Sequence, residues 1–286
     1  MKTRLRIAVQ KSGRLLDDSL QLLKEAGIRI DTSKEQLKAQ ATNFPADVLY
    51  LRNSDIPQYV QDGVADIGII GENTVVEKGL NTNIVQTLGF SRCRLSIALP
   101  KGAAYAGPQS LQGRRIATSY PNTLRKFLSE HSISAEIHEI SGSVEIAPNI
   151  GLADAICDLV SSGSTLFQNN LEEKEILLRS EACIVRGPDL LPEAQELLDT
   201  LLFRVRSVLA ARQHRYLLMN APNDRIADII GILPGMKSPT VMPLAEPGWS
   251  SVHTVISEDK FWDIIDRLKA CGAQGILVAP IEKMIL

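Results

Sequence analysis

The stretch Glu145 to Leu166, EIAPNIGLADAICDLVSSGSTL, concentrates residue types that can handle a phosphorylated sugar. Ser161, Ser162, Gly163, Ser164 and Thr165 fall between a predicted strand and a predicted helix. Such a turn leaves backbone N–H groups unpaired at a helix start. Gly163 permits a tight path and the hydroxyls add donors, so the segment reads as a phosphate cradle. The helix dipole is worth roughly 0.3–1 kcal/mol to an anion there, and direct hydrogen bonds to a phosphate dianion add more. Asp154 and Asp158 precede the loop, four residues apart, and on a strand they point to one side. Carboxylates upstream of a phosphate loop suit the vicinal hydroxyls of a ribose. The segment therefore reads as a ribose 5-phosphate site, against the plainer alternative of a strand-loop-helix connection with a polar turn.

Three further turns could meet a ligand. In QKSGRL (10–15), Lys11 and Arg14 flank Ser12 and Gly13 between a strand and a helix. A cationic turn at a helix start suits a triphosphate or pyrophosphate; the alternative is a solvated basic turn. The spacing is not that of a Walker loop. In GIIGEN (68–73), Gly71 either lets a ligand approach the backbone or only serves the turn. Tyr120, in ATSYP, either stacks on adenine or packs at a cleft.

The elements that must position these turns alternate between strand and helix. Leu5, Ile7 and Val9 alternate with polar or small neighbours, and a helical spacing of leucines follows to Gly27. ADVLYLR (46–52) and ADIGII (65–70) read as strands, the second apolar enough to be buried on both faces. Two strands are expected within Asn81 to Pro100, and a strand, a turn at Pro121 and a helix within 113–133. Glu175 to Arg186 holds one long strand or two short ones, and Pro188 to Arg212 a long helix. This βαβ rhythm predicts largely parallel sheets with ligands at strand C-terminal ends. After about residue 214 the order becomes β-α-β-β-α-β, the ferredoxin-like pattern.

Composition excludes other classes. The 286 residues suggest about two domains with room for a small third. The 31 basic and 33 acidic residues leave a net charge of −2, so a nucleic-acid coat is not expected. Apolar runs reach about seven residues against the ~20 that span a bilayer, and the N-terminus lacks the pattern of a signal peptide. A cytoplasmic protein with no membrane association is expected. Cys93, Cys157, Cys183 and Cys271 are scattered and read as small buried hydrophobes. The four histidines lack zinc-ligand spacing.

The phosphate segment resembles the phosphoribosyl pyrophosphate loop of phosphoribosyltransferases. Its form, E-x5-G-x-A-x2-I-x-D-L-x2-S-G-x-T-L, is met at Glu145, Gly151, Ala153, Ile156, Asp158, Leu159, Ser162, Gly163, Thr165 and Leu166, and resembles the signature of the ATP phosphoribosyltransferase family. LRIAVQKSGRL (5–15), DIGIIGEN (66–73), RIATSYP (115–121) and ILVAPIEKM (276–284) extend the resemblance along the chain.

The resemblance implies an α/β fold: a two-lobed, periplasmic-binding-protein-like catalytic core plus a C-terminal ferredoxin-like βαββαβ domain. The expected division is 1–97 with 178–213 as lobe I, 98–177 as lobe II and 214–286 as a regulatory domain of the family's long form. It implies transfer of a phosphoribosyl group from phosphoribosyl pyrophosphate to ring nitrogen 1 of ATP adenine, releasing pyrophosphate, in the first step of histidine biosynthesis. On that reading Ser162, Gly163, Ser164 and Thr165 hold the 5-phosphate. Asp158, with Asp154 and Glu145, holds ribose hydroxyls or stabilises positive charge. Lys11, Arg14, Gly71 and Tyr120 serve ATP or pyrophosphate. Mg2+ arrives mainly on phosphate oxygens with no dedicated protein ligand. Histidine as feedback inhibitor and dimers assembling to hexamers are further implications. A two-lobed solute-binding module and a regulatory subunit without activity are the competing readings; the acids upstream of the phosphate loop favour the enzyme.

Overall fold

The computed structural model describes residues 3–31, 37–80, 82–233 and 238–285. Residues 1–2 and 286, the ends of two expected domains, and Asn81 lie outside the described residues. Two compact units emerge: Met1–Gln21 with Ile28–Leu198, and Leu22–Gly27 with Asp199–Leu286.

The first unit holds two sheets. Its elements are β1 (Leu5–Gln10), α1 (Arg14–Glu25, shared with the second unit), β2 (Lys38–Gln40), β3 (Ala46–Leu51), α2 (Ile56–Gln61), β4 (Ile67–Gly71), α3 (Glu72–Lys78), β5 (Asn83–Thr87), β6 (Cys93–Pro100), β7 (Arg115–Thr118), α4 (Pro121–Glu130), β8 (Glu136–Glu139), β9 (Ala155–Val160), α5 (Ser164–Gln168), β10 (Leu171–Ser180) and β11 (Ala182–Arg186). The long helix α6 (Pro192–Arg212) follows. One sheet runs β2-β3-β1-β4-β11-β5 and the other β10-β6-β9-β7-β8.

Apolar runs explain the centre of the first sheet. Ile67, Ile69 and Ile70 of β4, like Leu5, Ile7, Ala8 and Val9 of β1, are buried whichever face they take, as central strands covered on both sides require. The second sheet separates its faces by alternation. Ala155 and Cys157 join Leu124 and Leu128 of α4 in one cluster. Ile156 and Val160 join Val144 and Leu166 in another. Asp158 shares that second face by strand parity.

Two expectations need correction. The sheets are mixed rather than largely parallel: β1 pairs in parallel with β3 and β4, and β7 with β8 and β9, but β6, β10 and β11 run antiparallel to their neighbours. β6 and β11 follow the crossings between sheets and run against the direction set by the βαβ units, whereas β10, antiparallel to β6, runs with it. The expected boundaries at 97/98 and 177/178 cut β6 and β10, which lie wholly in the second sheet. The actual crossings are 88–92 and Glu181, where Leu88 N donates to Ala182 O at 2.8 Å and Ala182 N to Phe90 O at 3.0 Å. Hydrophobic pattern marks a strand but not its partners, which are chosen at long range.

The second unit contains β12 (His214–Pro222), α7 (Ile226–Ile232), β13 (Thr240–Pro243), β14 (Trp249–Ser257), α8 (Phe261–Ala270) and β15 (Gln274–Pro280). Its sheet order β13-β14-β12-β15 is antiparallel throughout, matching the ferredoxin-like expectation. Leu217, Met219, Val252, Ile256, Ile264 and Leu268 form its core. By its contacts this unit also gathers 22–27 and the part of α6 from Asp199 onward, while the first strand of its sheet begins at His214. Cys157 and Cys183 are buried as expected, but Cys93 and Cys271 are partly exposed. No helix among the described residues is long and apolar enough to cross a membrane.

Candidate active site

β9 ends in the Ser161–Gly163 turn, and Gly163 at φ +83° is the residue before α5. No atom lies within 4 Å of where a Cβ would sit, so the left-handed backbone, not crowding, demands glycine there. The turn is tightened by Ser162 Oγ and Ser164 Oγ, 3.0 Å apart, and by Phe167 N donating to Gly163 O at 3.0 Å.

This turn lines a cavity of about 340 Å³ together with Asp158, Glu145 and Arg14. Asp158 arrives on β9, Glu145 on the short turn Val144–Ile146, and Arg14 at the start of α1 beside the other sheet. The cavity is therefore lined by hydroxyls and backbone donors of the turn, two carboxylates and one guanidinium. Burial, followed by the charge of Glu145, raises the Asp158 carboxyl above its ordinary value, although its Oδ1 accepts from Leu159 N at 2.8 Å. Such a carboxylate is stabilised by any positive charge that develops beside it.

Several expected residues are elsewhere. Asp154 precedes β9, and its carboxylate accepts from Arg115 N at 2.9 Å, Nη2 at 2.8 Å and Nε at 3.3 Å. Strand parity does align it with Asp158, but four residues of strand rise also separate them by roughly 13 Å. The Arg115 contacts, guanidinium first, depress its pKa to about 2. Its geometry is that of a structural ion pair at the start of β7. Lys11 is exposed on the β1–α1 turn and does not line the cavity.

Gly71 and Tyr120 belong to a junction between the two sheets. A Cβ on Gly71 would fall 2.2 Å from Asn73 Oδ1, so glycine here makes room for a folded-back asparagine. Asn73 Oδ1 accepts from Ser180 Oγ at 2.9 Å, and Asn73 Nδ2 donates to Tyr120 OH at 3.2 Å. The Tyr120 ring packs against the second-sheet core. Burial and the Asp158 charge push its phenol above the ordinary range. The turn reading of Gly71 and the packing reading of Tyr120 are the ones this geometry favours.

Glu77 had no signal in the sequence beyond a charge on a helix. It is buried, and its carboxylate accepts from Asn122 N at 2.8 Å, Thr123 N at 2.9 Å and Thr123 Oγ1 at 2.7 Å. α3 on the first sheet thereby caps α4 on the second.

Comparison with known proteins completes the picture. The family model described as HisG, ATP phosphoribosyltransferase, matches residues 52–207, and that for the HisG C-terminal domain matches 211–283. A protein of Phocaeicola vulgatus named ATP phosphoribosyltransferase is 56% identical over 282 residues, covering 99% of this chain and 100% of its own. The chain belongs to the ATP phosphoribosyltransferase family. A Cytophaga hutchinsonii protein of the same name is also 56% identical, with both chains covered in full. Among solved structures, the ATP phosphoribosyl transferase (HisG:HisZ) complex from Thermotoga maritima matches at TM-score 0.64 and 28% identity, covering 72% of this chain and 98% of that chain. The substrate binding protein of an amino acid ABC transporter matches at TM-score 0.50 and 9% identity, over 73% and 94% of the two chains, a likeness of fold alone. The periplasmic-binding-protein-like architecture of an ATP phosphoribosyltransferase core is thus present, and the chain is a transferase.

Proposed function

We propose that the chain joins ATP to phosphoribosyl pyrophosphate: the adenine N1 lone pair attacks the anomeric carbon, and the C1–O bond breaks with its electrons leaving on pyrophosphate. The product is phosphoribosyl-ATP, and the reaction opens histidine biosynthesis. The observation that carries this reading is the single cavity in which the Ser161–Thr165 turn, Asp158, Glu145 and Arg14 meet.

The turn hydroxyls and N–H groups hold the 5-phosphate, which fixes the sugar. Asp158 and Glu145 face the ribose, where they accept from its hydroxyls and stabilise oxocarbenium-like charge as the bond to pyrophosphate lengthens. Arg14 meets the phosphates. No covalent nucleophile is required; alignment and electrostatics do the chemistry. Magnesium suits this donor set: hard phosphate oxygens with one or two carboxylates are its usual company, and Asp158 and Glu145 are the carboxylates in the cavity. When bound it neutralises the leaving diphosphate. We further assign to the C-terminal unit the binding of histidine as inhibitor, to the assembled enzyme dimers that form hexamers, and to the protein a cytoplasmic location.

The test is direct. The full chain is mixed with ATP, phosphoribosyl pyrophosphate, magnesium and pyrophosphatase, and ultraviolet absorbance of the N-substituted adenine is followed. Absence of product from folded protein would sink the reading.

A further inference from the structure

The phosphate turn is held from behind by a residue that does not line the cavity. Arg94 lies on β6, paired across from Val160 at the end of β9. Its Nε and Nη2 donate to the two carboxylate oxygens of Glu173 on β10. Glu173 is fixed in turn by the buried Ser96, whose Oγ donates to it at 2.6 Å. That clamp leaves Nη1 pointing at the turn, where it donates to Ser161 O at 3.1 Å.

A planar trans peptide aims its C=O and N–H in opposite directions. With the Ser161 carbonyl drawn back to Arg94, the Ser162 N–H of the same peptide faces the other way. We propose that Arg94, braced by Glu173, is a positioning residue that orients the 161–162 peptide so that the Ser162 N–H serves as a donor to the phosphate of phosphoribosyl pyrophosphate. The guanidinium charge is already spent on Glu173, so Arg94 acts through the turn rather than as a phosphate ligand. A fork is required, because one side chain must serve a carboxylate and a carbonyl in fixed directions; lysine cannot do both. The inference rests on the turn being the phosphate site.

Three variants of the full chain separate the possibilities, with steady-state kinetics in both substrates and a thermal melt for each. Arg94→Lys should raise KM for phosphoribosyl pyrophosphate about tenfold, the size of one weakened charge-assisted hydrogen bond. KM for ATP and kcat should stay within about twofold, because a phosphate contact is shared by ground and transition states. Glu173→Gln keeps Arg94 but loosens its brace and should raise the same KM by about threefold; it decides the matter should Arg94→Lys not fold. Thr165→Ala removes a donor from the turn itself. A rise in that KM with Thr165→Ala but not with the folded Arg94 or Glu173 variant would overturn the positioning role and leave the phosphate site standing. No rise in any variant would remove the phosphate site and the inference together. Equal losses in both KM values and kcat would mark Arg94 as merely structural, which also overturns it.

Discussion

Asp158 and Glu145 share one cavity, and there the ionised form of Asp158 is unfavourable unless positive charge develops beside it. Burial and Glu145 raise the Asp158 pKa above its unfolded value of 3.8, so folding penalises its ionised form. That penalty is full at neutral pH and disappears as pH falls through the folded pKa to below 3.8. Asp158→Asn should therefore be as stable as the parent or more so at pH 7, with the advantage vanishing in acid. Its kcat should fall about 10²–10³-fold, as for loss of a preorganised electrostatic partner. Paired urea titrations at pH 7 and in acid, with turnover assays, check both; lower stability at pH 7 with near-normal turnover would contradict the assignment. Asp154 behaves oppositely. Its pKa of about 2 lies below 3.8, so its contribution is present above 3.8 and lost as pH falls toward 2. The pair is more than a third exposed, and screening discounts it. Asp154→Asn should cost about 1 kcal/mol at pH 7 and leave kcat within about twofold, measured by chemical denaturation and the product assay. Residue types and spacing in 145–166 disclosed the cavity carboxylates, but they could not separate Asp158 from Asp154. Parity is local, whereas the Arg115 that captures Asp154 comes from another strand.

At the scale of elements, the decisive contacts join α3 to α4. A buried carboxylate at the start of a helix satisfies orphan N–H groups and meets the positive end of the dipole. Glu77 does this for α4 through three donors. Glutamine would keep one acceptor oxygen and set an amide NH2 against backbone N–H groups. Glu77→Gln should lower stability by about 2 kcal/mol, the loss expected for charged hydrogen bonds replaced by a buried mismatch. Urea unfolding would read it, and a loss under about 0.5 kcal/mol would show that other contacts carry the junction. Nothing in the sequence marked this residue, since a glutamate on a short helix reads as a solvated face. Most strands and helices were legible from periodicity, and so was the C-terminal βαββαβ order; the short edge strand β2 was not. The reversed directions of β6 and β11 were not, because pairing direction depends on which sheet each strand enters.

For the whole molecule, a net charge of −2 means that the proposed reaction, with two highly anionic substrates, requires their charge to be met locally, at turns and helix starts and by the magnesium proposed to accompany them. Histidine, the inhibitor proposed for the C-terminal unit, is not such a ligand; it is a small zwitterion, and that unit has a hydrophobic core of its own. Inhibition then requires that histidine bind the less active state more tightly. Two readouts must move together on the full chain. Histidine at about 100-fold above its Kd should stabilise the protein by about 2.7 kcal/mol while turnover falls. Hydrogen exchange should slow first in β12 and β14, the central strands of the C-terminal sheet. Slowing confined to the two sheets of the first unit, with inhibition competitive against phosphoribosyl pyrophosphate, would place histidine in the catalytic cavity instead and leave the C-terminal unit without a regulatory role.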